Sequence, residues 1–165
     1  MNAIVYISNT GHSKAYAEIL GKKTGLPVYS LPKAVKELPK GTKIIYVGWL
    51  FVGSVKGYRK AAKRFNVRAV CGVGLCDTGA MLEGVRKAIS LPEEVPLFTL
   101  QGGIDKTKLS GINAYMIKML IKMMTKKKDK TADDVRMLEL LNLDRSYVCE
   151  ENAAEFLRWY ETVKE

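Results

Sequence analysis

Histidine is nearly absent from this chain of 165 residues, and His12 is the only one. That excludes a metal centre built on several imidazoles and any acid–base scheme that needs two of them. Cysteine is scarce as well. Cys71, Cys76 and Cys149 are an odd number without zinc-type spacing, which fits a reducing cytoplasm better than a disulfide framework. Cys71 lies inside an apolar run and reads as core; Cys76 lies in a loop, as either a reactive or an inert thiol. No apolar run approaches the roughly 20 residues that span a bilayer, and no cationic leader precedes the first strand pattern. Neither a membrane span nor a signal peptide is therefore expected. Repeats and low-complexity linkers are missing too, so residues 1–165 are expected to form one domain with a sizeable core.

Acidic residues are the other shortage. Against 27 Lys and Arg stand 17 Asp and Glu, a net charge of +10. The excess is uneven. Residues 106–130 carry eight lysines and one aspartate, residues 56–68 carry six bases and no acid, and residues 131–165 carry nine acids and four bases. A field polarised in this way favours an anionic partner: a phosphate-bearing ligand, a lipid surface or an acidic protein. Nucleic acid is not expected, because no recognition-helix, RNP or OB signature accompanies the charge.

What is present is an alternation of strands and helices. Strands are predicted at Ala3–Ile7, Leu26–Leu31, Lys43–Trp49, Val67–Leu75 and Val95–Leu100. Their apolar runs are continuous rather than alternating, as in a parallel sheet covered on both faces. Helices are predicted at Ser13–Thr24, Pro32–Leu38, Val55–Phe65 and Ala80–Ile89, with Leu50–Ser54 an apolar loop. The fold class is thus α/β with five parallel strands. Further on, Asn113–Thr125 reads as a basic amphipathic helix. Met116, Ile117, Leu120, Ile121, Met123 and Met124 share one side; Lys118, Lys122 and Lys126 share another, continued by Lys127 and Lys128. It either covers the domain, lies on an anionic membrane or offers a Met-rich surface to a partner. Thr131 is a candidate N-cap for a helix to Leu141, and Glu150–Lys164 closes the chain with Ala154, Phe156, Leu157 and Tyr160 as packing positions.

Three loops leave the carboxyl ends of predicted strands, where open parallel sheets bind ligands. The first, Ser8-Asn9-Thr10-Gly11-His12-Ser13, joins a buried strand to a helix start. Helix-start amides, three hydroxyls and a glycine permit close approach of a phosphate; a hydroxyl N-cap without ligand is the alternative. His12 is either a phosphate contact or an exposed loop residue. The second loop is Trp49-Leu50-Phe51-Val52-Gly53-Ser54, where Trp49 either faces a flat ring or ends a buried strand. The third is Leu75-Cys76-Asp77-Thr78-Gly79, where Asp77 either orients a ligand or caps a turn.

The pattern Ser8-x-Thr10-Gly11-x-Ser13 after a first strand resembles the phosphate loop of flavodoxins. The resemblance covers about residues 1–105 and implies a three-layer sandwich with sheet order 2-1-3-4-5 and bound FMN. It implies that Ser8, Asn9, Thr10, Gly11, His12 and Ser13 surround the flavin phosphate. Trp49, Leu50, Phe51, Val52, Gly53 and Ser54 would form one ring loop, and Leu75, Cys76, Asp77, Thr78 and Gly79 the other. Two departures stand out: the third loop has no aromatic residue, and the chain is basic where electron-carrier flavodoxins are acidic. Gly102-x-x-Asp105, Leu109-Ser110 and Tyr115-Met116-Ile117-Lys118 with the helix to Lys126 are similar to the flavodoxin-like menaquinone-dependent protoporphyrinogen dehydrogenases. That narrower resemblance implies an oxidoreductase acting on a porphyrinogen and a quinone at the membrane periphery. A flavin-free module of the same fold on an anionic surface is the competing expectation.

Overall fold

The structure, a computed structural model, describes residues 1–164. Strand β1 (Ala3–Ile7) leads through helix α1 (His12–Thr24) to β2 (Val28–Ser30), and α2 (Leu31–Glu37) leads to β3 (Lys43–Phe51). A two-residue strand β4 (Ser54–Val55) precedes α3 (Tyr58–Arg64), β5 (Asn66–Gly74), α4 (Leu82–Ile89) and β6 (Leu97–Gln101). The sheet order is β2-β1-β3-β5-β6, all parallel, with β4 antiparallel on the end of β3. Counting the parallel strands alone, this is the order 2-1-3-4-5 of a flavodoxin-like three-layer sandwich. The expected total of five strands is corrected to six. β3 runs two residues further than its apolar pattern implies and folds back on itself, so the expected loop at Leu50–Ser54 is a β-hairpin.

Alternate residues of each strand feed opposite layers, which is why the runs are continuously apolar. Val5, Ile44, Tyr46 and Val70 pack with Leu31 and Ala34 of α2, Tyr58 and Ala61 of α3, and Val85 and Ile89 of α4. Ile4, Ile45, Val47, Cys71 and Leu100 pack with Tyr16, Ala17 and Leu20 of α1 and with Phe156 and Tyr160. These last two belong to α7 (Ala154–Val163), which follows a short 3₁₀ turn at Glu151–Ala153. Ala153 is buried there rather than Ala154, because that turn shifts the helix start.

Between β6 and α7 stand α5 (Gly111–Lys126) and α6 (Ala132–Asn142). Thr131 caps α6 as expected, in a reciprocal capping box with Asp134. Residues 102–103 and 146–147 tie this excursion back to the sheet: the Tyr147 N–H donates to Gly102 O at 2.7 Å, and Gly103 bridges Ser146. Asn152 Nδ2 donates to Tyr16 Oη at 2.8 Å, anchoring the start of the last helix on α1. Among the described residues no helix is long and apolar enough to cross a membrane.

Candidate functional site

The chain goes from β1 outward to β2 and then returns to β3 on the other side of β1. A crevice therefore opens beyond the carboxyl ends of β1 and β3, where the helices diverge. The loop after β1 stands in it. The Gly11 N–H donates to Ser8 Oγ at 3.1 Å, which folds the loop tightly, and Gly11 itself is left-handed, with φ of 100°. Gly11 is the N-cap of α1 and no side chain caps the helix, so the hydroxyl-cap expectation is overturned. The amides of the first helical turn are left to face the crevice, with the positive end of the helix dipole behind them.

Two side chains in that first turn behave unlike ordinary surface residues. Ser13 is 1 % exposed, and its Oγ has no hydrogen-bond partner among the described residues. It lines a cavity of about 70 Å³ together with Ser8, Asn9, Thr10, His12 and Trp49. A buried hydroxyl without a partner costs about 1–3 kcal/mol, so an acceptor or donor supplied by a ligand would offset a real penalty. His12 is only 9 % exposed, which corrects the reading of an exposed loop residue. Gly102 passes so close that a Cβ there would stand 3.3 Å from His12 Cβ. His12 Nδ1 and Thr10 Oγ1 are hydrogen-bonded at 2.9 Å. Burial lowers the His12 pKa below its ordinary value, Asp105 opposes this, and Lys108 reinforces it. Neutral at physiological pH, the imidazole stands where an incoming anion would favour its protonation.

A second cavity, of about 230 Å³, continues from the first along the exits of β3 and β5, with Leu50, Gly74, Leu75 and Ile117 shared between them. Leu50 lies flat on the backbone of β5: a Cβ on Gly72 or Gly74 would come within 3.0–3.1 Å of it. Gly48 is required for the same reason, since a Cβ there would meet Val55 at 2.7 Å and Lys56 O at 2.8 Å where the hairpin folds over. At the hairpin tip Val52 and Gly53 both have positive φ, of 48° and 73°. Two left-handed residues suit the two-residue turn that matches strand twist, but a β-branched residue there is strained. Val52 is nevertheless 74 % exposed and lines the cavity. Met81, left-handed with φ of 62°, lines it as well. Two apolar side chains are thus held in unfavourable backbone conformations at the mouth of one apolar cavity, a placement that local propensity opposes.

Trp49 and Phe51 stand edge to face at 6.0 Å, and Lys56 Nζ lies 5.6 Å and 5.1 Å from their ring centres. Trp49 lines the first cavity and Phe51 the second, with Val52 and Gly53 beside it. Ser54 is paired with Phe51 in the hairpin and lines neither. In the third loop Leu75, Cys76 and Asp77 line the second cavity, whereas Thr78 and Gly79 turn away to β6. Thr78 Oγ1 accepts from the Gln101 N–H at 3.0 Å, and the Gly79 N–H donates to Thr99 O at 3.0 Å. Burial raises the Cys76 thiol pKa, with Asp77 and Asp133 adding to it, so the inert reading of this cysteine fits its surroundings.

Helix α5 lies across the strand exits. Asn113 Nδ2 donates to Asn9 Oδ1 at 3.0 Å, and Ile117, Leu120 and Met124 form the outer wall of the second cavity. Met123, expected to share one side with Ile117, Leu120 and Met124, faces solvent and does not line the cavity. Lys108 stands beside the loop that follows β1: a Cβ on Gly11 would be 4.0 Å from its Nζ, which also pairs with Asp105 at 2.9 Å. Sequence reasoning counted Lys108 in a basic stretch without singling it out, and it gave no sign of Asn113 or Ile104 at the site. Their proximity depends on chain segments about 100 residues apart.

No family model, curated protein or solved structure matches the chain. The site therefore speaks through its own geometry. Among the described residues no group of His, Cys, Asp and Glu is placed to hold a metal ion.

Proposed function

We propose that this protein is an FMN-binding, flavodoxin-like redox protein. The observation that carries the proposal is Ser13 Oγ, buried and unpartnered at the uncapped start of α1, at one end of a crevice whose other end is apolar. That is the polarity of a ligand with a phosphate at one end and a flat ring system at the other. Ser8, Thr10 and Ser13 supply hydroxyls and Gly11 lets the backbone approach, while Asn9 and His12 flank the anion. Trp49, Leu50, Phe51 and Val52 on one side, with Leu75, Cys76 and Asp77 on the other, enclose the ring. When bound, the flavin supplies the one- or two-electron chemistry; the chain supplies position and sets the surroundings of the ring. Those surroundings are mostly apolar, which keeps water from the ring and favours its neutral forms.

The substrate class we propose is a porphyrinogen, with a quinone as electron acceptor. A porphyrinogen combines carboxylates with a broad apolar ring, and the +7 stretch of residues 106–130 beside a Met-lined cavity suits both. The test is a titration of the purified protein with FMN, followed by flavin fluorescence and visible absorbance. Quenching with a saturable endpoint is expected; unchanged flavin spectra overturn the proposal. An anaerobic assay with protoporphyrinogen and a menaquinone analogue then separates an enzyme from a carrier.

One observation favours a second reading, a flavin-free module of the same fold. The cavities of about 70 and 230 Å³ are each smaller than ligand sites, which run from about 300 to 1,000 Å³, and α5 lines both. In the first reading α5 moves outward to admit the flavin; in the second it stays. Faster backbone amide exchange in α5 during FMN addition distinguishes them.

A further inference from the structure

The chain has three cysteines and seven methionines, and one cysteine and three methionines of these gather in one place. Cys76 lies in the loop after β5, Met81 at the N-cap of α4, Met124 near the end of α5 and Met137 within α6. All four line the second cavity, and all four also line an outer cavity of about 470 Å³ that adjoins it. The Cys76 thiol donates to Met81 Sδ at 3.4 Å. Cys76, Met124 and Met137 are half-buried and Met81 is exposed, so an ion reaches the cluster from solvent. Asp77, Asp133 and Asp134 also border the outer cavity, against Arg136 alone.

We infer that Cys76, Met81, Met124 and Met137 form a binding site for a soft monovalent cation, copper(I). Thiolate and thioether sulfurs select this ion, whereas zinc(II) takes imidazole, thiolate and carboxylate. The only histidine, His12, lines neither cavity. Hard cations need several oxygens, and Asp134 is already held by Lys127 and by the Thr131 cap. Asp77 and Asp133 add negative charge that attracts a cation without serving as ligands. The geometry is close to what coordination needs. A tetrahedral ion about 2.3 Å from each of two sulfurs holds them about 3.8 Å apart, so Cys76 and Met81 part by only about 0.4 Å. Methionine has three rotatable bonds and no branch, which lets Met124 and Met137 swing in from their helices. On binding, the Cys76 S–H bond breaks, a sulfur–copper bond forms and the proton leaves to solvent. Copper stays in its +1 state, so no oxidant or reductant is consumed. Burial and the neighbouring Asp77 and Asp133 keep the Cys76 thiol protonated and a poor nucleophile, but a soft cation displaces that proton. The outer cavity shares no residue with the first, so the inference does not rest on flavin binding.

The test uses the full chain carrying Cys149→Ser, which leaves Cys76 as the one thiol outside the core, since Cys71 is fully buried. This protein is titrated without oxygen into the coloured copper(I)–bicinchoninate complex. Loss of colour is expected, with an endpoint of one copper per chain that excess zinc(II) does not reverse. Adding Cys76→Ser should abolish capture. The triple variant M81L/M124L/M137L keeps the side-chain volumes and loses the thioethers, and it should weaken capture by about tenfold or more. An unchanged circular dichroism spectrum verifies the fold of each variant. X-ray absorption at the copper edge should show sulfur neighbours alone. No capture by the parent protein overturns the inference, as does capture that Cys76→Ser leaves intact or a shell of nitrogen and oxygen. Full capture by the triple leucine variant overturns it too, because the ligand is then a lone thiol.

Discussion

Helices α1 and α7 bury Tyr16, Ala17, Leu20, Phe156 and Tyr160 between themselves and the sheet, whereas α5, longer and at least as apolar, buries no side chain fully. The two regions teach different uses of hydrophobicity. In the sandwich strand and helix residues share two buried clusters, and Phe98 and Phe156 meet edge to face at 5.4 Å. In the α5–α6 cap the inner apolar residues line a cavity and the outer ones meet solvent. The sandwich thus carries most of the buried apolar contact, and the cap leaves apolar surface uncovered.

The largest effect that would break this contrast is a truncation made in both regions. Phe156→Ala should cost about 3–5 kcal/mol in urea unfolding, as deletion of a buried aromatic does. Met124→Ala on α5 should cost less than about 1 kcal/mol, because its side chain is only partly buried and borders a cavity. Equal costs would show that the cap is part of the core.

Next comes the boundary between the regions, at Ser13. Ser13→Ala removes a buried hydroxyl that has no partner among the described residues, so the melting temperature should hold or rise. The same change should weaken FMN binding by about 10- to 100-fold, the worth of one hydrogen bond to a charged group. A fall in stability with unchanged FMN affinity would make Ser13 a structural residue only. Val52→Asn tests the strained hairpin. Asparagine tolerates the left-handed backbone that valine resists, so stability should rise by about 1 kcal/mol, seen as a melting temperature some 2–4 °C higher.

The smallest effect concerns the turn that joins the regions. Hydrogen bonds from Lys108 and Thr107 hold the Asp105 carboxyl down at about 2, against an ordinary 3.8. A depressed carboxylate stabilises the fold fully above its unfolded pKa, and this contribution is lost as pH falls from about 4 through about 2. Asp105→Asn should flatten the melting-temperature profile in that window and leave it unchanged at neutral pH apart from a constant offset. An identical slope in wild type and variant would mean that the turn does not couple to folding.

The place of the Ser8–Ser13 loop at a strand exit and helix start was legible in the sequence, because hydroxyls and a glycine between a strand and a helix start can occupy few places in an α/β fold. What the one-dimensional pattern missed was burial at the same loop. His12 is covered by the chain returning at Gly102, and Asn9 is bonded to Asn113, 104 residues away. The hairpin at Val52-Gly53 escaped notice for a different reason. Asn-Gly or Asp-Gly would have announced it, but Val-Gly does not. For α5 the helical period was readable and its orientation was not, so Met123 and Met124 were grouped together although only Met124 lines the cavity.

By itself the sequence determined the parallel strands, their two-sided burial and the crevice loop, because period, run length and turn chemistry are local properties of the chain. Only the tertiary structure decided which loop residues reach the cavities, that Ser13 is buried without a partner among the described residues, and that α5 presents apolar side chains in two directions. Those depend on contacts between distant segments, whose geometry no local periodicity encodes.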